Sequence, residues 1–330
     1  MTRTTRRRVA GIVALSIAAA CTSSDAAPPA ATTTSTATTA PSTTTSTAAP
    51  TTTTTEATTT TIPVAELIAS LPTPSDSSEL ASALSEAELA IRDPALDDDT
   101  ARAWGGRLQL LYRTLSANRE WADEVVAAVD PAIADDVADN WLARTHLSSL
   151  VTSTSLSPTL PAWRIREPLP IDELLAAYDA AEAATGVPWS LLASVHLVET
   201  RMGRIEGLST AGAVGPMQFL PSTWEACCEG DPTIDADAIM GAAVYLRASG
   251  APDDLDRAIF AYNHSTDYVE AIKAYARVME RNRLAYRGYH AFEVYFLSAA
   301  GLVVLEPGYL EPEAVDAAEW IVAHPDALID

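Results

Sequence analysis

Apolar residues recur at helical spacing through most of the chain after residue 63, separated by short polar stretches. In the first part, residues 63–154, the pattern predicts amphipathic helices over 78–92, from Asp99-Thr100 onward, over 121–129 and over 135–147. Trp104, Leu108, Leu111 and Leu115 share one face of the second helix, as expected for core packing. We therefore predict an N-terminal helical region and find no recognisable chemistry in it.

A second helical series follows residues 155–170, whose four prolines predict a linker. Helices are predicted over 172–185, where Gly186 is a stop signal, and over 188–200, where Pro188 suits the first turn. Three more are predicted over 235–248, from 253 or 254 to 262, and over 267–281. Residues 294–297 and 302–305 predict a small β-hairpin within a C-terminal extension, 283–330. The expected fold class is mainly α.

The N-terminus has the organisation of an export signal over residues 1–20. Four arginines at positions 3, 6, 7 and 8 precede an apolar core, 9–19, that is too short to span a bilayer, which needs roughly 20 residues. A short membrane anchor and a twin-arginine signal are weaker alternatives. Ala18-Ala19-Ala20-Cys21 resembles a lipobox, which predicts lipidation at Cys21, although the usual branched apolar residue is absent at position 18. The alternative is plain cleavage and secretion.

Residues 21–62 consist almost entirely of Thr, Ala, Ser and Pro after Cys21. Such a composition cannot bury an apolar core, so it predicts a disordered tether. With a lipid at Cys21, the tether would hold the folded part at the outer face of the cytoplasmic membrane. Without the lipid, the protein would be secreted.

The formal net charge of −23 and the absence of a basic patch argue against nucleic acid as a partner. The chain has three cysteines, of which Cys227 and Cys228 are adjacent and either form a vicinal disulfide or stay free. No Cys/His pair has metal-ligand spacing near them, so we predict no metal site there.

Glu199 lies in the last turn of the predicted helix 188–200, on the same face as Leu192 and His196. The negative end of the helix dipole and partial burial both raise the pKa of a carboxyl group in such a place. A carboxylic acid that stays protonated near neutral pH suits general-acid cleavage of a glycosidic bond. Taken alone, a Glu at a helix end is more commonly a solvated surface residue.

Two further motifs follow Glu199-Thr200 in order: Gly215-Pro216-Met217-Gln218-Phe219 and Tyr262-Asn263. Together they resemble the lytic murein transglycosylases of lysozyme-like fold, most closely the B-type membrane-bound branch. The resemblance covers residues 165–282, and the predicted domain is 171–282. Thr200 replaces the commoner Ser, and the segment 227–235 is too short and too poor in Asp to indicate the calcium loop of some B-type enzymes.

The resemblance implies roles for these residues. Glu199 would be the catalytic acid and base, Gln218 would hydrogen-bond the sugar with Met217 packed beside it, and Tyr262 and Asn263 would face Glu199 across the substrate. Thr200 would orient Glu199 or a substrate amide. Structural roles stay open: Tyr262 as a core residue, and Thr200 and Asn263 as helix-end caps. His196 and His264 are expected to be structural or on the surface.

By resemblance, the expected function is that of an exported lytic transglycosylase, which cleaves MurNAc–GlcNAc bonds of peptidoglycan to give 1,6-anhydro-muramyl products without consuming water and without a cofactor. The expected partners are glycan strands. One alternative is a goose-type lysozyme-like hydrolase in which Glu206, Asp231 or Asp235 places a water molecule. Another is a non-catalytic wall-binding module. Tyr286, Tyr289 and His290 either extend a glycan groove or pack in the core. The sequence leaves the oligomeric state open.

Overall fold

A computed structural model of the chain describes residues 64–150 and 156–329. The predicted export signal, Cys21 and the tether lie outside the described residues. Within the described ranges, no helix combines the length and the apolar character that crossing a membrane requires.

The described residues form a mainly helical structure, which confirms the predicted fold class. The α-helices are α1 Val64–Ala69, α2 Ser77–Ile91, α3 Asp98–Ala117, α4 Ala122–Ala128, α5 Ala134–Ser149, α6 Ile171–Thr185, α7 Trp189–Thr200, α8 Pro221–Cys227, α9 Asp235–Ser249, α10 Leu255–Tyr262, α11 Thr266–Arg281, α12 Ala285–His290 and α13 Ala317–Ala323. The strands are β1 Thr159–Leu160, β2 Arg164–Ile165, β3 Ile205–Glu206, β4 Val294–Ser298, β5 Gly301–Leu305, β6 Val315–Asp316 and β7 Leu328–Ile329.

Side-chain caps explain several helix starts. Asp76, Asp97, Asp254 and Ser265 each accept a hydrogen bond from the backbone N–H three residues later. These bonds satisfy N–H groups that have no partner within the helix, and each contributes about 1 kcal/mol. Gly186 ends α6 at a φ of 76°, a backbone conformation that glycine adopts without steric cost.

Two large apolar cores meet at α5. The first joins α2, α3 and α4, and the second joins α6, α7, α9, α10, α11 and α12. Ala143 and Leu147 of α5 belong to the second core, while Val137 belongs to the first. Asp136 of α5 also pairs with Arg92 of α2 at 2.7 Å and with Arg281 of α11 at 2.6 Å. The N-terminal helical region is therefore tied directly to the helices that follow it.

Residues 156–170 are integrated into the fold, which corrects the prediction of a linker over 155–170. β1 pairs with β6 and β2 pairs with β3, both antiparallel. Leu160 and Ile165 are buried in a third core beneath β4 and β5. Pro161 lies between β1 and β2, and Pro158, Pro168 and Pro170 lie outside them, so none of the four removes an N–H donor from within a strand.

The predicted hairpin is confirmed: β4 pairs antiparallel with β5, and β7 extends the sheet on the other side of β5. Upstream of it, Tyr286 and Tyr289 of α12 are buried in the second core. Packing is therefore the role that the structure gives these two aromatic residues, rather than extension of a glycan groove.

Candidate active site

Helix α7 runs through the second core, and Glu199 is its one residue that is not buried. The other residues of α7 pack on all sides against α6, α9 and α11. A helix surrounded by apolar contacts has little freedom to rotate or slide. The carboxyl group of Glu199 is therefore held in one place, at the point where the helix reaches the surface.

The chain reverses sharply after Glu199. Arg201, Met202 and Gly203 have consecutive φ values of 56°, 59° and 76°. Side chains other than glycine occupy this left-handed region only at an energetic cost, and such residues cluster at functional sites. A Cβ atom at Gly203 would lie 2.5 Å from Oδ1 of Asp235, so a side chain does not fit there. The prediction that Gly203 marks the end of the helix therefore has a steric basis.

A tight turn carries Gln218 to the side of Glu199. Val214 and Phe219 exchange both backbone hydrogen bonds, at 2.8 and 2.9 Å, and enclose residues 215–218. Gly215 adopts a φ of 76°, and a Cβ atom there would lie 1.8 Å from the carbonyl oxygen of Pro232. Gln218 itself has a φ of 50°. The glycine of the Gly-x-Met-Gln-Phe motif is thus required for the turn to fit against the segment before α9.

Two side-chain hydroxyl groups stabilise this turn by donating hydrogen bonds to the carbonyl oxygens of two consecutive turn residues. Thr200 donates to the carbonyl of Pro216, and Tyr262 donates to the carbonyl of Met217 over 2.6 Å. The Thr200 oxygen also accepts from the N–H of Gly203 at 3.1 Å. The turn is therefore fastened on one side to the end of α7 and on the other to the end of α10.

Thr200 and Met217 are both fully buried, with 0% of their side-chain surface exposed. Neither borders the cleft. Thr200 positions the turn, and Met217 packs beneath it among core residues. Tyr262 lines the cleft and also fixes the turn.

A cleft of about 620 Å³, counted to its open mouth, brings Glu199 together with Gln218, Tyr262 and Asn263. The remaining lining residues are Ala211, Ala213, Phe219, Leu220, Thr223, Tyr245, Ala261 and His264. Glu199 is the one carboxylate among the lining residues that the structure describes. Asn263, only 5% exposed, lines the cleft and is also the C-cap residue of α10.

The Gln218 side chain donates its amide N–H groups to the carbonyls of Gly215, at 3.0 Å, and Gly207, at 3.5 Å. These bonds orient the amide, so that its oxygen is left to accept from a ligand in the cleft. Phe219, Tyr245 and Tyr262 contact one another edge-on, with ring centroids 5.8–6.3 Å apart, and form the aromatic wall. A polar amide beside an aromatic wall suits a ligand with both hydroxyl groups and apolar faces, such as a sugar.

Burial raises the pKa of Glu199 to about 7, and a hydrogen bond from Tyr268 acts in the opposite direction. The Tyr268 hydroxyl donates to Oε1 of Glu199 over 2.6 Å. Desolvation of the charged form is therefore the main cause, and the helix dipole is not needed to explain the shift. Near neutral pH, the group exchanges a proton readily in either direction, which suits it to act as both acid and base.

Tyr268 lies on α11 and was missed as a site residue. The sequence does place it on the buried stripe of α11 with Ile272 and Tyr275. A buried tyrosine hydroxyl needs a hydrogen-bond partner, but sequence alone does not reveal that the partner is Glu199.

A second polar cluster lies behind α7, away from the cleft. His196 is fully buried and shares a hydrogen bond of 2.7 Å with Tyr178, and burial lowers the pKa of His196 to about 3. Asp235 pairs with Arg166 at 2.7 Å. His196 is therefore a neutral structural residue, as predicted, whereas the exposed His264 borders the cleft.

The carboxylates considered for a water-placing role lie elsewhere. Asp235 is occupied by Arg166, Glu206 pairs with Arg164 and Arg166, and Asp231 accepts from Thr233 in an exposed turn. Cys227 and Cys228, at the end of α8, are joined in a disulfide. Within residues 64–150 and 156–329, no group of three or more His, Cys, Asp or Glu side chains is arranged to hold a metal ion.

No protein-family model, curated protein or solved structure matches the chain.

Proposed function

We propose that the chain is an exported lytic transglycosylase with a lysozyme-like catalytic domain, acting on the MurNAc–GlcNAc bonds of peptidoglycan. The observation that carries the proposal is the single carboxyl group in the cleft, Glu199, with a pKa near neutrality. Glycosidases that use water as the acceptor ordinarily place two carboxyl groups across the bond. A cleft with one such group favours a reaction in which the substrate supplies its own nucleophile.

In the proposed reaction, protonated Glu199 donates its proton to the glycosidic oxygen as the bond to the anomeric carbon breaks. The N-acetyl group of MurNAc stabilises the developing positive charge. The C6 hydroxyl of the same sugar then attacks the anomeric carbon, and the Glu199 carboxylate takes the hydroxyl proton. The products are a free 4-hydroxyl on GlcNAc and a 1,6-anhydro-muramyl end, and Glu199 returns to its starting state.

The other cleft residues have supporting roles in this proposal. Gln218 hydrogen-bonds the sugar through its amide oxygen, and Asn263 offers an amide from the opposite wall. Tyr268 holds the Glu199 carboxyl in one orientation through the bond of 2.6 Å. Because orientation of a reacting group contributes strongly to rate, these fixed contacts matter as much as the pKa. Cys21 would carry the lipid that keeps the enzyme at the cell envelope.

The test is mass spectrometry of the muropeptides released from purified peptidoglycan. We expect anhydro-muramyl products, which are lighter by one water than hydrolysis products. Glu199→Gln should abolish release, while Glu206→Gln, the same chemical change at a carboxylate outside the cleft, should leave it intact. Reducing ends from the wild type would instead favour the hydrolase, and no release with retained glycan binding would favour the wall-binding module.

A further inference from the structure

A small pocket lies where α3, α5, α7 and α11 meet the start of β4. It is narrow, with room for about one water-sized group between its walls. Its lining residues are Gln109, Arg113, Arg144, Leu197, Arg201, Tyr275, Phe292 and Tyr295. Three of the eight are arginines, and none is an acid.

The three guanidinium groups have neutral partners. Arg113 lies over the ring of Tyr295, 4.4 Å from its centroid. Arg144 donates through Nε to the Ser116 hydroxyl at 2.9 Å, and Arg201 donates to the carbonyl of Leu197 at 2.7 Å. In the part of the chain that the structure describes, none of the three forms an ion pair with a carboxylate.

This arrangement is unusual for such an acidic chain, which has 44 Asp and Glu against 21 Lys and Arg. Other arginines form ion pairs with carboxylates: Arg92 and Arg281 both pair with Asp136, and Arg283 pairs with Asp179. The convergence of three arginines without an acid is therefore not a result of scarce carboxylates.

Of the three arginines, Arg144 is the one with a buried guanidinium nitrogen that has no hydrogen-bond partner. It is 5% exposed, and the nitrogen without a partner is the terminal Nη2. Burial lowers the pKa of Arg144 to about 10, and the positive charges of Arg113 and Arg201 act in the same direction. The group still carries its charge at neutral pH. A buried charge beside two like charges is costly unless a counter-charge is present.

We propose that this pocket, the arginine pocket, binds a small oxyanion: a carboxylate or phosphate group at its mouth, with an oxygen entering between Arg113, Arg144 and Arg201. The planar guanidinium presents paired N–H donors that match two oxygens of such a group. Gln109, a further polar lining residue, is engaged with the backbone of Glu293 at 2.9 and 2.8 Å, so the arginines provide the recognition.

Binding in the arginine pocket has a consequence for the fold around it. Arg201 belongs to the left-handed stretch directly after Glu199-Thr200, and Arg144 belongs to α5, which the two large cores share. An oxyanion between them removes the like-charge repulsion and links the end of α7 to α5. The proposal does not depend on which reaction the cleft catalyses.

The test is a thermal melt and isothermal titration in a low-salt zwitterionic buffer, with sodium phosphate in one arm and sodium acetate in the other. Sodium chloride at matched ionic strength is the reference, because it screens charge without offering paired oxygens. We expect a saturable rise in Tm with phosphate or acetate above the chloride reference. The arm that saturates identifies a phosphate or a carboxylate as the ligand.

Variants locate the binding. Arg113→Gln and Arg201→Gln, at half-buried positions that tolerate a neutral side chain, should each weaken binding at least tenfold. Arg119→Gln is the matched control, since Arg119 lies over Trp141 at 5.9 Å outside the pocket. If Arg144→Gln fails to fold, Arg113→Gln and Arg201→Gln still test whether the oxyanion binds in the arginine pocket. No saturable binding in either arm, or binding unchanged in both pocket variants, would overturn the proposal.

Discussion

The hydroxyl of Tyr268 donates a hydrogen bond to Oε1 of Glu199 over 2.6 Å, joining α11 to the end of α7. This bond favours the ionised carboxylate, whereas burial favours the protonated acid, and burial is the larger effect. The balance between the two sets the pH range in which Glu199 can donate a proton.

Tyr268→Phe should move the pH profile of glycan cleavage. In the wild type, cleavage should fall as the pH rises through about 7, because the protonated fraction of Glu199 declines. Removing the hydroxyl removes a bond to the carboxylate, so the Glu199 pKa rises and the alkaline limb shifts to higher pH by about one unit. The measurement is kcat/KM against pH on soluble uncrosslinked glycan strands. Tyr309→Phe, far from the cleft, should leave the limb in place, and an unmoved limb in Tyr268→Phe would contradict the assigned contact.

Glu199→Gln should make the protein more stable than the wild type at neutral pH. The folded-state pKa of Glu199 is raised to about 7 from 4.5, so the folded state binds the proton more tightly than the unfolded chain does. The stability that this proton contributes is fully present below pH 4.5 and is lost as the pH rises through about 7. With allowance for partial solvent contact, the advantage of the variant should grow by about 2 kcal/mol across this range. Urea unfolding at pH 4.5 and pH 7.5 measures it, and a pH-independent difference would argue against a buried carboxyl group.

Gly215→Ala should disrupt the turn that carries Gln218. The new Cβ would lie 1.8 Å from the carbonyl oxygen of Pro232, at a φ of 76°. We expect a loss of about 3 kcal/mol or more in the free energy of unfolding and no measurable cleavage. Gly212→Ala is the matched control, because Gly212 has a φ of 79° but no atom within 4 Å of the added Cβ. It should cost only about 1 kcal/mol of backbone strain. Similar losses in both variants would mean that the backbone conformation, not the contact with Pro232, is decisive.

Thr200→Val should weaken the attachment of the same turn to α7. The substitution keeps the shape but leaves the Pro216 carbonyl and the Gly203 N–H without their hydrogen bonds. Each unsatisfied buried group costs about 1–3 kcal/mol, so stability should fall by about 2 kcal/mol or more. Gln218 is part of this turn and is proposed to bind the sugar. A displaced turn should therefore raise KM for glycan strands more than it lowers kcat. Thr200→Ser retains the hydroxyl and should keep most of the activity; equal kinetics for Val and Ser would refute the positioning role.

Helix α7 and the cleft residues were predictable to a large extent from sequence. Glu199, Gln218 and Tyr262-Asn263 line one cleft. The bounds of the helices that the sequence predicted differ from those observed by only a few residues. The burial of α7 explains this success, since a mostly apolar helix with one partly exposed residue, Glu199, near its end has few ways to pack.

Contacts between distant segments were not predictable. The sequence left Thr200 either orienting Glu199 or a substrate amide or capping the helix end. Its hydroxyl donates to the carbonyl of Pro216, sixteen residues away, a partner that no local sequence pattern indicates. The arginine pocket brings together Arg113 of α3, Arg144 of α5 and Arg201 from the turn after α7, and none of these arginines stands out in its own segment. The proline-rich stretch 155–170 was misread because short strands such as β1 and β2 draw their stability from partners far along the chain.

Because every residue of α7 except Glu199 is buried, the position and orientation of the Glu199 carboxyl group depend on how the protein interior packs around the helix. A change of one methylene at a position such as Ala193 or Val195 would tilt or shift the helix, and the carboxyl group at its end would move with it. Displacements of about 1 Å at a reacting group can cost roughly a hundredfold in rate. Substitutions in the core should therefore appear as kinetic defects before they appear as unfolding, and a screen for activity would recover residues that never touch a sugar.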